Sequence, residues 1–245
     1  DNILSKINSQ NVSVLDIFEG IYQGIITTGD DIFILKGEIN ENIFVGYSKA
    51  LNKEVEIESN IMKPILKGED IRRYTQPQSK AFVIYPHTKN LKNKTVPISE
   101  EVMKYEYPLA YEYLSNFKDH LVNKKIKYKM NATNWYAMHR PREQEILDRD
   151  KIITPQLQNY PHFALDKNSC YPDAGGYSLL IKNEYYHELM FYYGILNSKL
   201  FWSFIMSTST VFNNNYYYFK TAYIKEFRFP DFVEESTKMQ VIDYV

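Results

Sequence analysis

The sequence predicts an α+β fold, in which short strands form mixed or antiparallel sheets beside a helical pair and one long helix. Three observations predict it. Many short β-rich runs are punctuated by Gly, Pro, Asn and Asp; dense helical apolar spacing is confined to a few stretches; and no internal repeat or low-complexity linker divides the chain. At 245 residues there is room for one large domain or two small ones, each with a real core.

In chain order, Asn11 to Phe18 reads as a short helix with Ser13 at its N-cap. Two β-rich runs around Ile21 to Ile34 flank Thr27-Thr28-Gly29-Asp30, the pattern of strand, tight turn, strand. Residues 43–48 and 54–58 alternate apolar with polar, as half-buried strands do. Met62 to Tyr74 reads as irregular, because Lys63-Pro64 and Lys67-Gly68 punctuate it. Ala81 to Tyr85 is a short apolar strand. The long helix opens at Ser99 and runs past Leu121 towards Lys129, with Pro108 as a bend or restart. Asn131 to Arg142 is a loop. Strands follow at Lys151 to Pro155, Phe163 to Leu165 and Tyr177 to Ile181, with a turn over Cys170 to Gly176. The helical pair spans Glu184 to Ser207 and breaks at Asn197-Ser198. Tyr216 to Phe219 is a strand, Phe227 to Pro230 is extended, and a last helix begins near Glu234.

Composition narrows the function. No apolar run reaches the ~18 residues that span a bilayer, and no basic-then-apolar export signal precedes the fold. The chain opens on Asp1 and closes on Val245 inside a helix-like stretch, so both ends read as cuts in a longer protein. Cys170 is the only cysteine, which excludes an internal disulfide and a multi-cysteine metal site and fits a reducing cytoplasm. The 22 Tyr and 14 Phe suit surfaces that are half apolar and half wet. Net charge is −1, which argues against a non-specific nucleic-acid coat, but the charge is uneven. Residues 38–60 are acid-rich, whereas residues 118–142 carry seven Lys and Arg against Asp119 alone. A phosphate backbone is drawn to such a segment; a solvated helical face is the plainer reading of the same charges.

A catalytic constellation is not found. There is no Pro-Pro pair for a base-flipping methyltransferase loop, and Gly175-Gly176 lacks the cofactor-binding glycine spacing. Pro172-Asp173 is not followed by Asp/Glu-x-Lys and reads as a turn. The five histidines lack metal-ligand spacing, and no phosphate-gripping loop is present.

Several segments, taken in order, resemble the TaqI-like C-terminal specificity domain of adenine-N6 DNA methyltransferases and type IIG restriction–modification enzymes. Gly24-Ile25-Ile26-Thr27-Thr28-Gly29-Asp30-Asp31-Ile32-Phe33 is similar to the family's opening, with one added Thr. Lys63-Pro64 through Gly68-Glu69-Asp70-Ile71-Arg72-Arg73-Tyr74 is similar to its K-P-x-x-x-G-x-D-I-x-x-Y block. Trp135-Tyr136 to Arg142, Lys151-Ile152-Ile153-Thr154-Pro155 and Leu196-Asn197-Ser198-Lys199-Leu200 follow. Phe227-Arg228-Phe229-Pro230 closes the series with a single proline. The order covers roughly residues 20–232.

The resemblance implies a target-recognition domain over 20–232, a linker helix over 1–19 from an upstream domain, and the start of a C-terminal helix over 233–245. It implies that the chain grips double-stranded DNA while an upstream methyltransferase or nuclease domain of the same polypeptide does the chemistry. S-adenosylmethionine belongs to that domain, and this chain needs no cofactor, metal or membrane of its own. Arg72, Arg73, Arg140 and Arg142 suit guanine or phosphate; Gln156, Gln158 and Asn159 suit adenine. Thr27 and Thr28 suit a phosphate, and Trp135 and Tyr136 a displaced base or a groove wedge. Lys67, Lys125, Lys127, His139 and Asn214 complete the expected contact set. The alternative is a protein- or ligand-binding module with an aromatic surface.

Overall fold

The computed structural model describes residues 3–123, 134–213 and 215–245, and among them the fold is α+β. Two sheets organise it. A four-stranded antiparallel sheet runs in the order Ala164–Asp166, Lys151–Pro155, Gly176–Ile181, Phe18–Gln23. A six-stranded sheet runs Tyr171–Pro172, Met62–Leu66, Ala81–Ile84, Ile34–Asn40, Ile43–Ser48, Lys53–Glu58. Its first pair is parallel and the rest antiparallel.

Each sheet supports its own apolar core. The six-stranded sheet packs Leu35, Phe44, Ile65 and Val83 against the helices of residues 100–122 and against Trp135, Tyr136 and Met138. The four-stranded sheet packs Phe18, Ile152, Leu179 and Ile181 against the helical pair Leu189–Leu196 and Lys199–Thr208. This second core absorbs much of the phenylalanine: Phe201 lies 5.4 Å from Phe163 and 4.9 Å from Phe227, both edge-on. Each such buried ring contributes on the order of 1.5–3 kcal/mol. A small third cluster of Leu66, Ile71, Ile153, Ala164 and Cys170 lies where the two sheets meet.

Several expectations change for local physical reasons. The one long helix is three: Glu100–Glu106, Pro108–Ser115 and Lys118–Val122. Pro108 has no N–H to continue the first, and Tyr107 before it leaves the helical region at φ −132°, ψ 52°. The second starts afresh because the Glu58 carboxylate accepts the Leu109 and Ala110 N–H groups at 2.7 and 3.0 Å. It stops where the Asn116 side chain donates to the Glu112 and Tyr113 carbonyls. The tight turn expected at Thr27 to Asp30 leads instead into one helical turn, Asp30–Phe33, and the strands on either side belong to different sheets.

Met62–Leu66, expected to be irregular, is an interior strand. Pro64 is tolerated there because Tyr171–Pro172 pairs only with Ile65 and Leu66, so nothing on that side requires a Pro64 donor. Gly176–Ile181 is buried at every residue, since neighbours flank it on both sides. Ser13 caps Val14–Ile17 as expected, in a reciprocal box with Asp16. Residues 3–17 are packed rather than trailing: Ile7, Val14 and Ile17 join the second core, and Val12–Ser13 pairs with Arg228–Phe229.

The break in the helical pair has a specific cause. Asn197 is buried, its Oδ1 accepts the Phe163 N–H at 2.9 Å, and its Nδ2 donates to the Phe163 and Tyr193 carbonyls. One side chain thereby ties the helix end to the strand loop before Ala164–Asp166. Asn197→Ala leaves those backbone groups unsatisfied and is expected to cost about 2–3 kcal/mol in a denaturant titration. A cost below about 0.5 kcal/mol would show that water replaces the side chain there.

Candidate nucleic-acid interface

Backbone hydrogen bonds gather five distant loops at the line where the sheets meet. Gly24 N–H donates to the Gly176 carbonyl and Ile25 N–H to the Pro172 carbonyl, both at 2.9 Å. Asp173 N–H donates to the Leu66 carbonyl at 3.0 Å, and Gln156 N–H to the Gly175 carbonyl at 2.6 Å. Ile26 and Arg140 exchange both N–H···O bonds at 2.9 Å. Segments 24–30, 66–73, 140–142, 155–162 and 172–176 therefore form one seam. Gly24 is glycine because of this close approach: a Cβ there would sit 2.2 Å from the Pro172 carbonyl oxygen.

The seam opens into a cleft of about 660 Å³. Lys36, Lys49, Lys67, Arg72 and Lys80 line it, set against Asp30, Asp31, Glu69 and Asp70. The acids are partly spent on structure. The Thr27 hydroxyl donates to Asp30 and accepts the Gly29 N–H, while Asp70 accepts the Lys67 N–H at 2.8 Å. Asp173 accepts the Gly175 N–H at 2.8 Å. Burial first, and then the Asp30 and Asp70 charges, holds its carboxyl above the usual range. Lys67 and Arg72 are exposed at the rim and have no ion-pair partner among the described residues.

The structure separates the residues singled out from sequence. Lys67 and Arg72 are brought together at the cleft, Thr27 reaches its edge through Asp30, and Arg140 is exposed on the strand-like bridge beside Thr27. Thr28 is nearly buried, and its hydroxyl has no partner among the described residues. Half-buried His139 adjoins Arg140. Arg73 is exposed and lies across the Tyr160 ring, 4.8 Å from its centroid. Gln156 is half-buried, with its backbone joined to Gly175 and Phe219. Asn159 is exposed. Lys125, Lys127 and Asn214 lie outside the described residues.

Three expectations, at Trp135, Tyr136 and Gln158, are corrected, and Arg142 is also found in the framework. Trp135 and Tyr136 are 0% exposed. Trp135 packs edge-on to Tyr111 and Tyr136, and the Tyr136 hydroxyl donates to the Ile98 carbonyl at 2.6 Å. Neither ring is available as a wedge; the Trp-Tyr pair anchors a loop to the first core. Arg142 has φ 65°, donates from Nε to the Gly24 carbonyl at 2.8 Å and from Nη2 to Gln23 Oε1 at 2.9 Å. Burial, then the Arg140 charge, pulls its guanidinium below the usual range. From this half-buried position it ties residues 23–24 to the seam. Gln158 is buried, donating to Thr154 Oγ1 and the Pro155 carbonyl, both at 2.7 Å, and accepting the His162 N–H at 2.6 Å. It shapes the 156–162 loop and does not read a base.

Sequence reasoning missed Tyr160, His162 and the cleft lysines Lys36, Lys49 and Lys80. Lys36 sits on a strand, Lys49 in the turn after Ile43–Ser48 and Lys80 just before Ala81–Ile84, and no local pattern assigns any of them to the cleft. Tyr160, one of 22 tyrosines, carries no local signal beyond its place before Pro161. No group of three or more His, Cys, Asp or Glu among the described residues could hold a metal ion. None of the described helices is long and apolar enough to cross a membrane.

Comparison with known proteins gives a consistent picture. The family model of the TaqI-like C-terminal specificity domain matches residues 63–228. The chain is 29% identical over 192 residues to the type II restriction enzyme and methyltransferase RM.Eco57I of Escherichia coli, covering 73% of this chain and 19% of that protein. It is 24% identical over 230 residues to the type II methyltransferase M.BanIII of Aneurinibacillus aneurinilyticus, covering 92% of this chain and 36% of that one. It is also 24% identical over 187 residues to the type II methyltransferase M.MjaIV of Methanocaldococcus jannaschii, at 75% and 56% coverage. The chain thus spans less than two thirds of each of these relatives. The type IIL restriction–modification enzyme MmeI, solved in complex with DNA, shares the fold. Its TM-score is 0.56 at 10% identity, over 91% of this chain and 26% of that one.

Proposed function

Because the chain belongs to the family of TaqI-like C-terminal specificity domains, we propose that it reads a short duplex DNA target for a methyltransferase housed in the same polypeptide. In this reading residues 20–232 form the target-recognition domain. The chain has no catalytic residue, and S-adenosylmethionine and the flipped adenine are handled by another domain.

One observation carries the proposal: exposed Lys67 and Arg72 line one open cleft with Lys36, Lys49 and Lys80, and the seam beside it carries exposed Arg140 next to Thr27. Arginine at a rim grips phosphates and reads guanine edges, and the cleft acids supply acceptors for cytosine amino groups. A cleft lined by both signs of charge differs from a plain basic groove. It repels wrong contacts as well as attracting right ones, as sequence discrimination requires.

The test is selection from a randomised duplex pool by the full-length protein at two salt concentrations, with bound DNA sequenced. We expect enrichment of one short motif, weaker retention at the higher salt, and a loss of about 1–3 kcal/mol in Arg72→Ala or Arg140→Ala. Failure to retain any duplex at low salt would sink the proposal and leave a protein-partner role in its place.

A further inference from the structure

Next to the cleft the structure carries a second cationic feature that DNA reading alone does not explain. Arg72 and Arg73 follow the one-turn helix Gly68–Asp70. Arg72 Nη1 donates to the Ile71 carbonyl at 3.0 Å, which fixes its direction. Arg73 lies over Tyr160 at 4.8 Å and beside Tyr74 at 5.8 Å. Tyr160 is itself backed by Trp202, at 5.8 Å between centroids, and Trp202 by Tyr217 edge-on at 5.2 Å. The column ends in the second core, where Trp202 stacks on Phe219 at 16° between planes.

His162 stands in the same place. Its part-buried imidazole is held below the usual histidine range by burial first and then by the Arg72 and Arg73 charges. Its Nδ1 is buried with no partner among the described residues. Among those residues neither Arg72 nor Arg73 has a carboxylate within ion-pair distance. Two adjacent guanidinium groups with no carboxylate at ion-pair distance can take an anion between them.

We propose, resting on the DNA reading above, that Arg73 is a phosphate clamp on the DNA backbone and that Tyr160 is its positioning residue. A guanidinium stacked by one face keeps its edge donors free and loses less freedom on binding than an unsupported one. Its fork matches two phosphate oxygens. The crowding of positive groups favours a phosphate, which carries a full charge, over a guanine edge, which carries none. The clamp therefore sets how the duplex lies on the cleft and leaves the choice of sequence to the cleft residues.

The experiment uses the full-length protein with the duplex enriched by selection and an unrelated duplex, each titrated across salt. Arg73→Ala is expected to weaken both duplexes by the same factor, roughly tenfold. It is also expected to flatten the slope of log K against log salt by about 1. Tyr160→Ala moves both readouts in the same direction, and Tyr160→Phe, which keeps the ring, behaves as wild type. Loss confined to the enriched duplex in Arg73→Ala overturns the clamp and makes Arg73 a base reader. Unchanged binding in Tyr160→Ala, or equal loss in Tyr160→Phe, overturns the positioning role. A wild-type protein that retains neither duplex overturns the DNA reading itself, an outcome separate from the others.

Discussion

Asp166→Ala is expected to lower the unfolding free energy by about 3–5 kcal/mol, the cost of leaving one buried charge without its partner. Lys151 and Asp166 are both 0% exposed in their side chains and meet at 2.7 Å. The lysine ammonium also donates to the Leu147 and Arg149 carbonyls at 2.6 and 3.2 Å. The aspartate also accepts the Cys170 N–H on one oxygen and the Asn168 N–H on the other, both at 2.9 Å. The pair thus satisfies backbone groups from two segments, 147–149 and 168–170, and removing the carboxylate orphans several donors at once. Replacing both residues, as Lys151→Met with Asp166→Leu, should recover part of the loss, because the double change leaves no lone charge. Denaturant titration of the two variants decides it. A single-variant cost under about 1 kcal/mol would mean that water reaches the site and the pair is dispensable.

Gly24→Ala is the second large effect, and it acts on geometry. The new methyl would meet the Pro172 and Asp173 carbonyl oxygens at 2.2 and 2.1 Å, far inside contact distance. Both obstacles are backbone, so the seam itself must open. Overpacking of this kind costs about 1–3 kcal/mol. The functional loss should exceed that, because Thr27, Arg140 and the Asp173 turn are held in register by the same bonds. At a temperature where the variant is fully folded by circular dichroism, duplex affinity should still fall well below wild type. Unchanged affinity in a folded variant would detach the seam from DNA reading.

Much of the fold was legible in the sequence where local chemistry decides it. Ser13 with Asp16, Asn197-Ser198 between two apolar helical runs, and the alternating strands of residues 43–58 all act through near neighbours. What stayed hidden depends on distant partners. Pro108 ends a helix, but the restart comes from Glu58, fifty residues away. Met62–Leu66 looks broken by proline and is rescued by the shortness of the strand beside it. At the candidate site, Lys67 and Arg72 were legible as charged residues in a family-like block. Trp135, Tyr136 and Gln158 were misassigned because the side chains that suit DNA contact also suit a buried, hydrogen-bonded framework. Only burial distinguishes the two, and burial is set by the whole chain.

The strand pairing has a consequence for how the molecule is made. The meander from Ile34–Asn40 to Lys53–Glu58 pairs neighbours in sequence, so it can close as soon as it leaves the ribosome. Phe18–Gln23 pairs only with Gly176–Ile181 in its sheet, and Val12–Ser13 waits for Arg228–Phe229. Bringing such distant strands together carries a loop-closure cost before any contact rewards it. The segment holding Ile7, Val14, Ile17 and Phe18 therefore remains unburied until residues 176–181 and 228–229 have been made. That interval, and not the finished surface, is when the chain is most open to aggregation and to chaperone capture.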